Sequence, residues 1–275
     1  MLAKLKIDFQ FLGSVYPPKI DLQKPGNNNC KFLQQINIYN KKIAHLVSDS
    51  IKSDHDVPLI IGEDHSISIG TVSGILQKRK KVGLLWLDAH PDIHTDKTTQ
   101  TGWVYGMPSA IVCGFGHKKL TDILPRNKIS PKNLALFGAQ YIDPEEYTNI
   151  KKFGTNLISM EDIIEKGLTK SLDKAISIIT KNTNYVHISL DLDVIDDLFA
   201  PGTTEYSLGQ LTYREIKYVL KKLAEKKIIN SIDIVEGDPP KDIQGKTVNL
   251  VLELIALLCK KSYSPYDQYL ISNKI

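Results

Sequence analysis

Val82-Gly-Leu-Leu-Trp-Leu87 runs directly into Asp88-Ala-His90-Pro-Asp92. A short apolar run bounded in this way reads as a strand buried on both faces, the kind found inside a parallel sheet. Acids and a histidine follow at once. The same succession recurs where Pro58-Leu-Ile-Ile-Gly62 meets Glu63-Asp64-His65-Ser66, where Tyr185-Val-His-Ile-Ser-Leu190 meets Asp191-Leu-Asp193, and where Ser231-Ile-Asp-Ile-Val235 meets Glu236-Gly-Asp238. Ligands of open α/β sheets bind in the crevice outside the carboxyl ends of the strands. Polar residues gathered at those ends therefore point to function.

Outward from these runs, β-branched apolar stretches alternate with stretches of helical period, the βαβ signature of a parallel sheet. Further strands are expected at Lys6–Leu12, Leu134–Gly138 and Asn156–Ser159, with Tyr185–Leu192 as one strand. Helices are expected at Phe32–Ile51, Ser66–Gln77, Pro144–Phe153, Glu161–Thr180, Thr212–Lys226 and Thr247–Cys259. The long helix 161–180 is read from Ile163, Ile164, Leu168, Leu172, Ala175, Ile176 and Ile179, which fall at three-and-four spacing. Asp143-Pro144-Glu145-Glu146 reads as an N-cap with proline in the first turn. The stretch from Pro17 to Asn29 reads as a surface loop, and Lys78-Arg79-Lys80-Lys81 as a solvated helix end. The expected fold is α/β, a single domain over residues 1–275 with a mainly parallel sheet and a Tyr-rich tail at 263–275.

Lys and Arg number 35 and Asp and Glu 31, a net charge of +4 on 275 residues. That is too dilute for the electrostatic footprint of a nucleic-acid or anionic-membrane binder. No apolar run approaches the ~20 residues of a membrane span. Charge at Lys4, Lys6 and Asp8 interrupts any leader-like apolar core. The three cysteines, Cys30, Cys113 and Cys259, are odd in number and far apart, which disfavours disulfides and a thiolate zinc site. A cytoplasmic protein is expected.

Alternate residues of an extended chain share a face, so Asp88, His90 and Asp92 project together, as do Asp191 and Asp193. Carboxylates crowded at the end of an apolar sheet repel one another and lose hydration, and divalent cations offset both costs. Asp88, Asp92, Asp191, Asp193, His65 and His90 supply donors enough for two ions. Oxygen donors with some imidazole and no thiolate favour Mn²⁺, with Zn²⁺, Fe²⁺ and Co²⁺ as alternatives.

These motifs resemble those of the arginase and agmatinase family of ureohydrolases. Gly62-Glu-Asp-His65-Ser is similar to the family's Gly-Gly-Asp-His-Ser, Asp88-Ala-His-Pro-Asp92 to its Asp-Ala-His-x-Asp, and Ser189-Leu-Asp-Leu-Asp193 to its Ser-x-Asp-x-Asp, with Phe199-Ala-Pro-Gly-Thr203 and Leu211-Thr-Tyr-Arg-Glu215 following in order. The resemblance implies a three-layer αβα fold, two manganese ions and hydrolysis of a guanidino group by a metal-bridging hydroxide, most simply L-arginine to L-ornithine and urea. It implies that His65, Asp88, Asp92 and Asp191 hold one ion and His90, Asp88, Asp191 and Asp193 the other. Asp92 would also take part in proton transfer, and Glu236 would pair with the guanidinium. The loop Ile93–Gly102 has the length of the arginase branch, so Thr99 and Thr101 would meet an α-carboxylate, and Asp143, supported by Glu146, an α-amino group. A homo-oligomer, trimer or hexamer, is implied as well.

The sequence departs from the family pattern at several of these positions. Tyr105 stands where the family has its proton-shuttling histidine, His94 where it has a carboxylate-binding asparagine, and Glu205-Tyr206 where it has Thr-Pro. An unperturbed tyrosine titrates near ~10 and a histidine near ~6.5, so Tyr105 should be the poorer shuttle at neutral pH. Two rival readings are a hydrolase of another guanidino or formimino compound and a metal-binding member with little or no catalytic activity.

Overall fold

The computed structural model describes residues 7–259 and residue 261; the tail at 263–275 lies outside the described residues. The main sheet has six strands, β3 (Leu59–Ile61), β4 (Val82–Leu87), β5 (Leu134–Phe137), β6 (Asn156–Ile158), β7 (Tyr185–Asp191) and β8 (Ser231–Val235). All are parallel, in the order β3-β8-β7-β4-β5-β6. A two-stranded hairpin, β1 (Gly26–Asn27) and β2 (Cys30–Lys31), begins in the stretch read as a surface loop and ends just past it. The expected α/β architecture, a parallel sheet flanked by helices, is therefore present.

Alternation along the strands sends side chains to two layers. Leu85, Leu87, Phe137, Ile188, Leu190 and Ile232 pack against α6 (Met160–Lys166), α7 (Leu168–Ile179), α8 (Tyr213–Glu225) and α9 (Lys246–Leu258). On the opposite face Leu84, Trp86, Leu134 and Leu136 pack against α1 (Leu33–Ser50), α2 (Ser68–Lys78), α3 (Pro108–Val112) and α5 (Pro144–Phe153), with the short α4 (Lys118–Thr121) at the periphery. α2 lies unusually close to α1. A Cβ at Gly74 would fall 2.5 Å from the Ala44 carbonyl, and one at Gly70 2.6 Å from that of Asn40. This close crossing seats Ser68, the first residue of α2, beneath the carboxyl ends of the strands.

Two expectations need correction. The helix expected over 161–180 is two helices, because Gly167 at φ 83° and ψ 143° breaks the α ladder between α6 and α7. The strand expected at Lys6–Leu12 is not formed by Ile7–Leu12, Lys6 lying outside the described residues. Phe9, Phe11 and Leu12 are exposed there, and an alternating pattern makes a strand only where one face finds cover. Among the described residues no helix is long and apolar enough to cross a membrane.

Candidate metal centre

Sheet order makes neighbours of four motifs that are remote in sequence. Because β3, β8, β7 and β4 are adjacent and parallel, His65, Glu236, Asp191 to Asp193, and Asp88 to Asp92 emerge side by side at one end. Backbone N–H groups then aim the carboxylates. The amide of His90 donates to Asp88 Oδ1 at 2.6 Å, that of Ala89 to Asp193 Oδ1 at 3.0 Å, and that of Asp193 to Asp191 Oδ1 at 2.9 Å. The indole of Trp86 donates to Asp88 Oδ2 at 2.8 Å, and its ring stacks on His65 with centroids 4.0 Å apart.

His65 Nδ1 lies 3.0 Å from Asp88 Oδ2 and 3.1 Å from both Asp92 Oδ2 and Asp191 Oδ2. Despite these distances it is a buried atom with no hydrogen-bond partner of good geometry. Three carboxylate oxygens thus surround this one nitrogen. Asp88 also turns its other oxygen toward His90, whose Nδ1 is 3.6 Å from Asp88 Oδ1 and 2.8 Å from Asp193 Oδ2. The result is two donor groups, His65–Asp88–Asp92 and Asp88–His90–Asp193, sharing one carboxylate.

The far side of His65 reveals what its near side is built to meet. Ser189 Oγ donates to Asp233 Oδ1 at 2.6 Å and Ser68 Oγ to Asp233 Oδ2 at 2.9 Å, so the one proton of each hydroxyl is committed. Ser189, 2.9 Å from His65 Nε2, can then only accept. The proton of neutral His65 is accordingly fixed on Nε2 and the lone pair on Nδ1, the arrangement of a metal-ligating imidazole. Asp233 is itself buried against His187 Nε2 at 3.2 Å. Burial works to raise its pKa, but His187, His65 and the Ser189 hydroxyl outweigh it and hold the carboxyl below its ordinary range. Register explains the set, since His187 pairs with Ser231 and Ser189 with Asp233 across β7 and β8.

Without a cation the site is electrostatically frustrated. Burial and neighbouring carboxylates raise Asp92, Asp191 and Asp193 above the usual carboxylate range. Four carboxylates and two neutral imidazoles carry the charge that two dications cancel. Glu236, at φ 60°, accepts the His65 amide at 2.7 Å and is pushed up to about 7, chiefly by burial and then by Asp64. Asp92, at φ 49°, shares this left-handed conformation, which is sparsely populated outside glycine and concentrated at functional sites.

Of the remaining sequence-predicted residues, the structure brings His94, Asp143 and Glu146 together. His94 Nε2 lies 2.8 Å from Asp143 Oδ2, and Asp143 Oδ1 accepts the amide of Glu146 at 2.8 Å in a reciprocal capping box that starts α5. Thr99 Oγ1 accepts the Gly102 amide at 2.9 Å and Thr101 Oγ1 that of Trp103 at 3.2 Å, so both hydroxyl protons stay free to donate. Tyr105 is half-buried and stacks on Trp103, with centroids 5.8 Å apart. Ser68, Ser189, Asp233, His187 and the indole of Trp86 have no role assigned from sequence. The signal was present in β7, where His187, Ser189 and Asp191 alternate with apolar residues.

Compared with known proteins, residues 3–259 match the model of the arginase family. The chain belongs to the arginase family. Relatives named arginase in this family include that of Bacillus caldovelox, 35% identical over 94% of this chain and 86% of its own length, and that of Brevibacillus brevis, 36% identical over 83% and 76%. The solved structure of the Bacillus caldovelox arginase at pH 5.6 superposes with a TM-score of 0.90 at 34% identity, covering 96% of this chain and 88% of that one. As an arginase-family ureohydrolase, the chain carries its two donor groups at the carboxyl end of the sheet.

Proposed function

We propose that this chain is a manganese-dependent amidinohydrolase that releases urea from a guanidino substrate, L-arginine before others, leaving L-ornithine. The observation that carries the proposal is the orphaned Nδ1 of His65 facing Asp88, Asp92 and Asp191, with its tautomer fixed from behind by Ser189 and Asp233. The donor set fits two dications, His65, Asp88, Asp92 and Asp191 holding one and His90, Asp88, Asp191 and Asp193 the other. Such ions supply Lewis acidity and a water of lowered pKa, the nucleophile that a guanidinium carbon requires.

The chain's own residues supply the rest. Glu236 is a buried acid whose pKa is raised chiefly by burial, and a guanidinium would provide its counter-charge with two parallel N–H donors. Asp92 accepts from the attacking water and moves its proton. The hydroxyls of Thr99 and Thr101, with His94, suit an α-carboxylate, and Asp143 with Glu146 suits an α-amino group. Urea release should be measured from arginine, agmatine, 4-guanidinobutyrate and formiminoglutamate after metal stripping and Mn²⁺ reloading, with ammonia read alongside. Arginine is expected to lead, and Glu236→Gln to lose on the order of a hundredfold in kcat/KM. Turnover of none of these substrates by the Mn²⁺-loaded protein would overturn the proposal.

Residues 1–275 are proposed to form one metallohydrolase domain, a homo-oligomer in the cytoplasm. The free cysteines support a reducing compartment.

A further inference from the structure

Glu205 lies on the loop between β7 and α8, and that loop is tied to the end of β8. Thr203 bridges Gly237 antiparallel, and the Thr204 amide donates to the Glu236 carbonyl at 3.3 Å. Lys241 Nζ donates to the Thr204 carbonyl at 2.6 Å, and Thr203 Oγ1 to the Glu205 carbonyl at 2.9 Å. From this anchored backbone, Glu205 Oε2 reaches to 3.5 Å from His90 Nε2. The opposite nitrogen of the same ring faces Asp193 and Asp88, and Tyr141 stacks on its face with centroids 5.3 Å apart. The two candidate imidazole ligands are thus oriented alike, each with Nδ1 toward the carboxylates and Nε2 toward an oxygen, hydrogen-bonded at 2.9 Å for His65 and approached at 3.5 Å for His90. For His65 that oxygen belongs to a buried serine, and for His90 to a carboxylate.

An imidazole that binds a metal through Nδ1 keeps its proton on Nε2, and a carboxylate accepting that proton fixes the tautomer, orients the ring and makes the ligand more basic. We propose that Glu205 is a positioning residue for the second metal ion, acting through His90 to tighten the Asp88–His90–Asp193 site. This rests on the binuclear reading above but adds a residue to it, because the family pattern has threonine at this position. Losing such an outer partner costs about 10- to 100-fold in metal affinity. The Glu205 side chain is 54% exposed and so screened by water, which puts the effect near the lower end.

Stepwise Mn²⁺ affinities of the wild type, Glu205→Gln and Glu205→Thr, measured by chelator competition, test the proposal, with the spin-coupled two-manganese electron paramagnetic resonance signal as a second readout. In Glu205→Thr the second dissociation constant should weaken about tenfold, and the coupled signal should need correspondingly more Mn²⁺ to appear. Glu205→Gln keeps an acceptor without the charge and should fall in between, while the first constant stays unchanged in both. A second constant within twofold of wild type in Glu205→Thr, or equal weakening of both ions, would overturn the role of Glu205 alone. A wild type that takes up no second ion would overturn it together with the binuclear reading.

Discussion

At Tyr105 the phenol is raised above its ordinary pKa, by burial first and then by the carboxylates of Glu205 and Glu236. It is therefore a neutral hydrogen-bond donor at pH 7 and a poor proton shuttle. Tyr105→His should raise Mn²⁺-dependent urea release at pH 7 by about tenfold or more, since a positioned acid–base group is worth about 10²–10⁴. A pH–rate profile unchanged in that variant would contradict the assignment. Glu146 offers a separate test of electrostatics. Burial, opposed by the Asp143 amide, lifts it from an ordinary 4.5 to about 7. The folded state then holds a proton that the unfolded chain releases, so this contribution to stability is full below about 4.5 and is lost as pH rises to about 7. Glu146→Gln preserves the capping box, which accepts either residue, while removing the titration. Urea denaturation of the metal-free variant should show a shallower fall in stability between pH 5 and 7, each pKa unit being worth about 1.4 kcal/mol. The strand-tip acids and histidines were legible in the sequence because alternation puts them on one face. The tautomer-setting pair Ser189 and Asp233 was not, because its meaning lies in the register between β7 and β8, which neither strand encodes alone.

The break between α6 and α7 went unread because it is set by a single backbone choice. α6 and α7 carry one continuous three-and-four apolar pattern, yet the chain stops and restarts at Gly167, whose amide still bonds to the Ile163 carbonyl while its own carbonyl accepts from Ser171. Nothing lies within 4 Å of where a Cβ would be, so the conformation alone opposes a side chain. Gly167→Ala should cost about 1–3 kcal/mol in equilibrium unfolding without changing metal affinity. A neutral result would mean that the two helices join under substitution. The segment Ile7–Leu12 failed in the opposite direction, its local pattern being strand-like while the burial that would realise it is missing. By contrast, the capped starts of α5 at Asp143 and α8 at Thr212 were readable, because a capping box is written in residues three apart.

Across the whole molecule, the parallel sheet was legible from run length and alternation, whereas the strand order was not, since local sequence carries little information about which crossover skips a neighbour. The order matters because it makes β3 an edge. Among the described residues β3 has β8 on one side and no strand on the other, and it is three residues long with Ile61 62% exposed. β7 is buried throughout and flanked by β8 and β4. Backbone amides of Leu59–Ile61 should therefore exchange with solvent deuterium far faster than those of Tyr185–Asp191, and added Mn²⁺ should slow the first set more than the second. The proposed ligands do not stand on equal footing: Asp88, Asp191 and Asp193 follow the buried central strands β4 and β7, and His65 follows the exposed edge strand β3. Demetallation by local opening would then begin at His65, with the three aspartates keeping their grip on whichever ion remains.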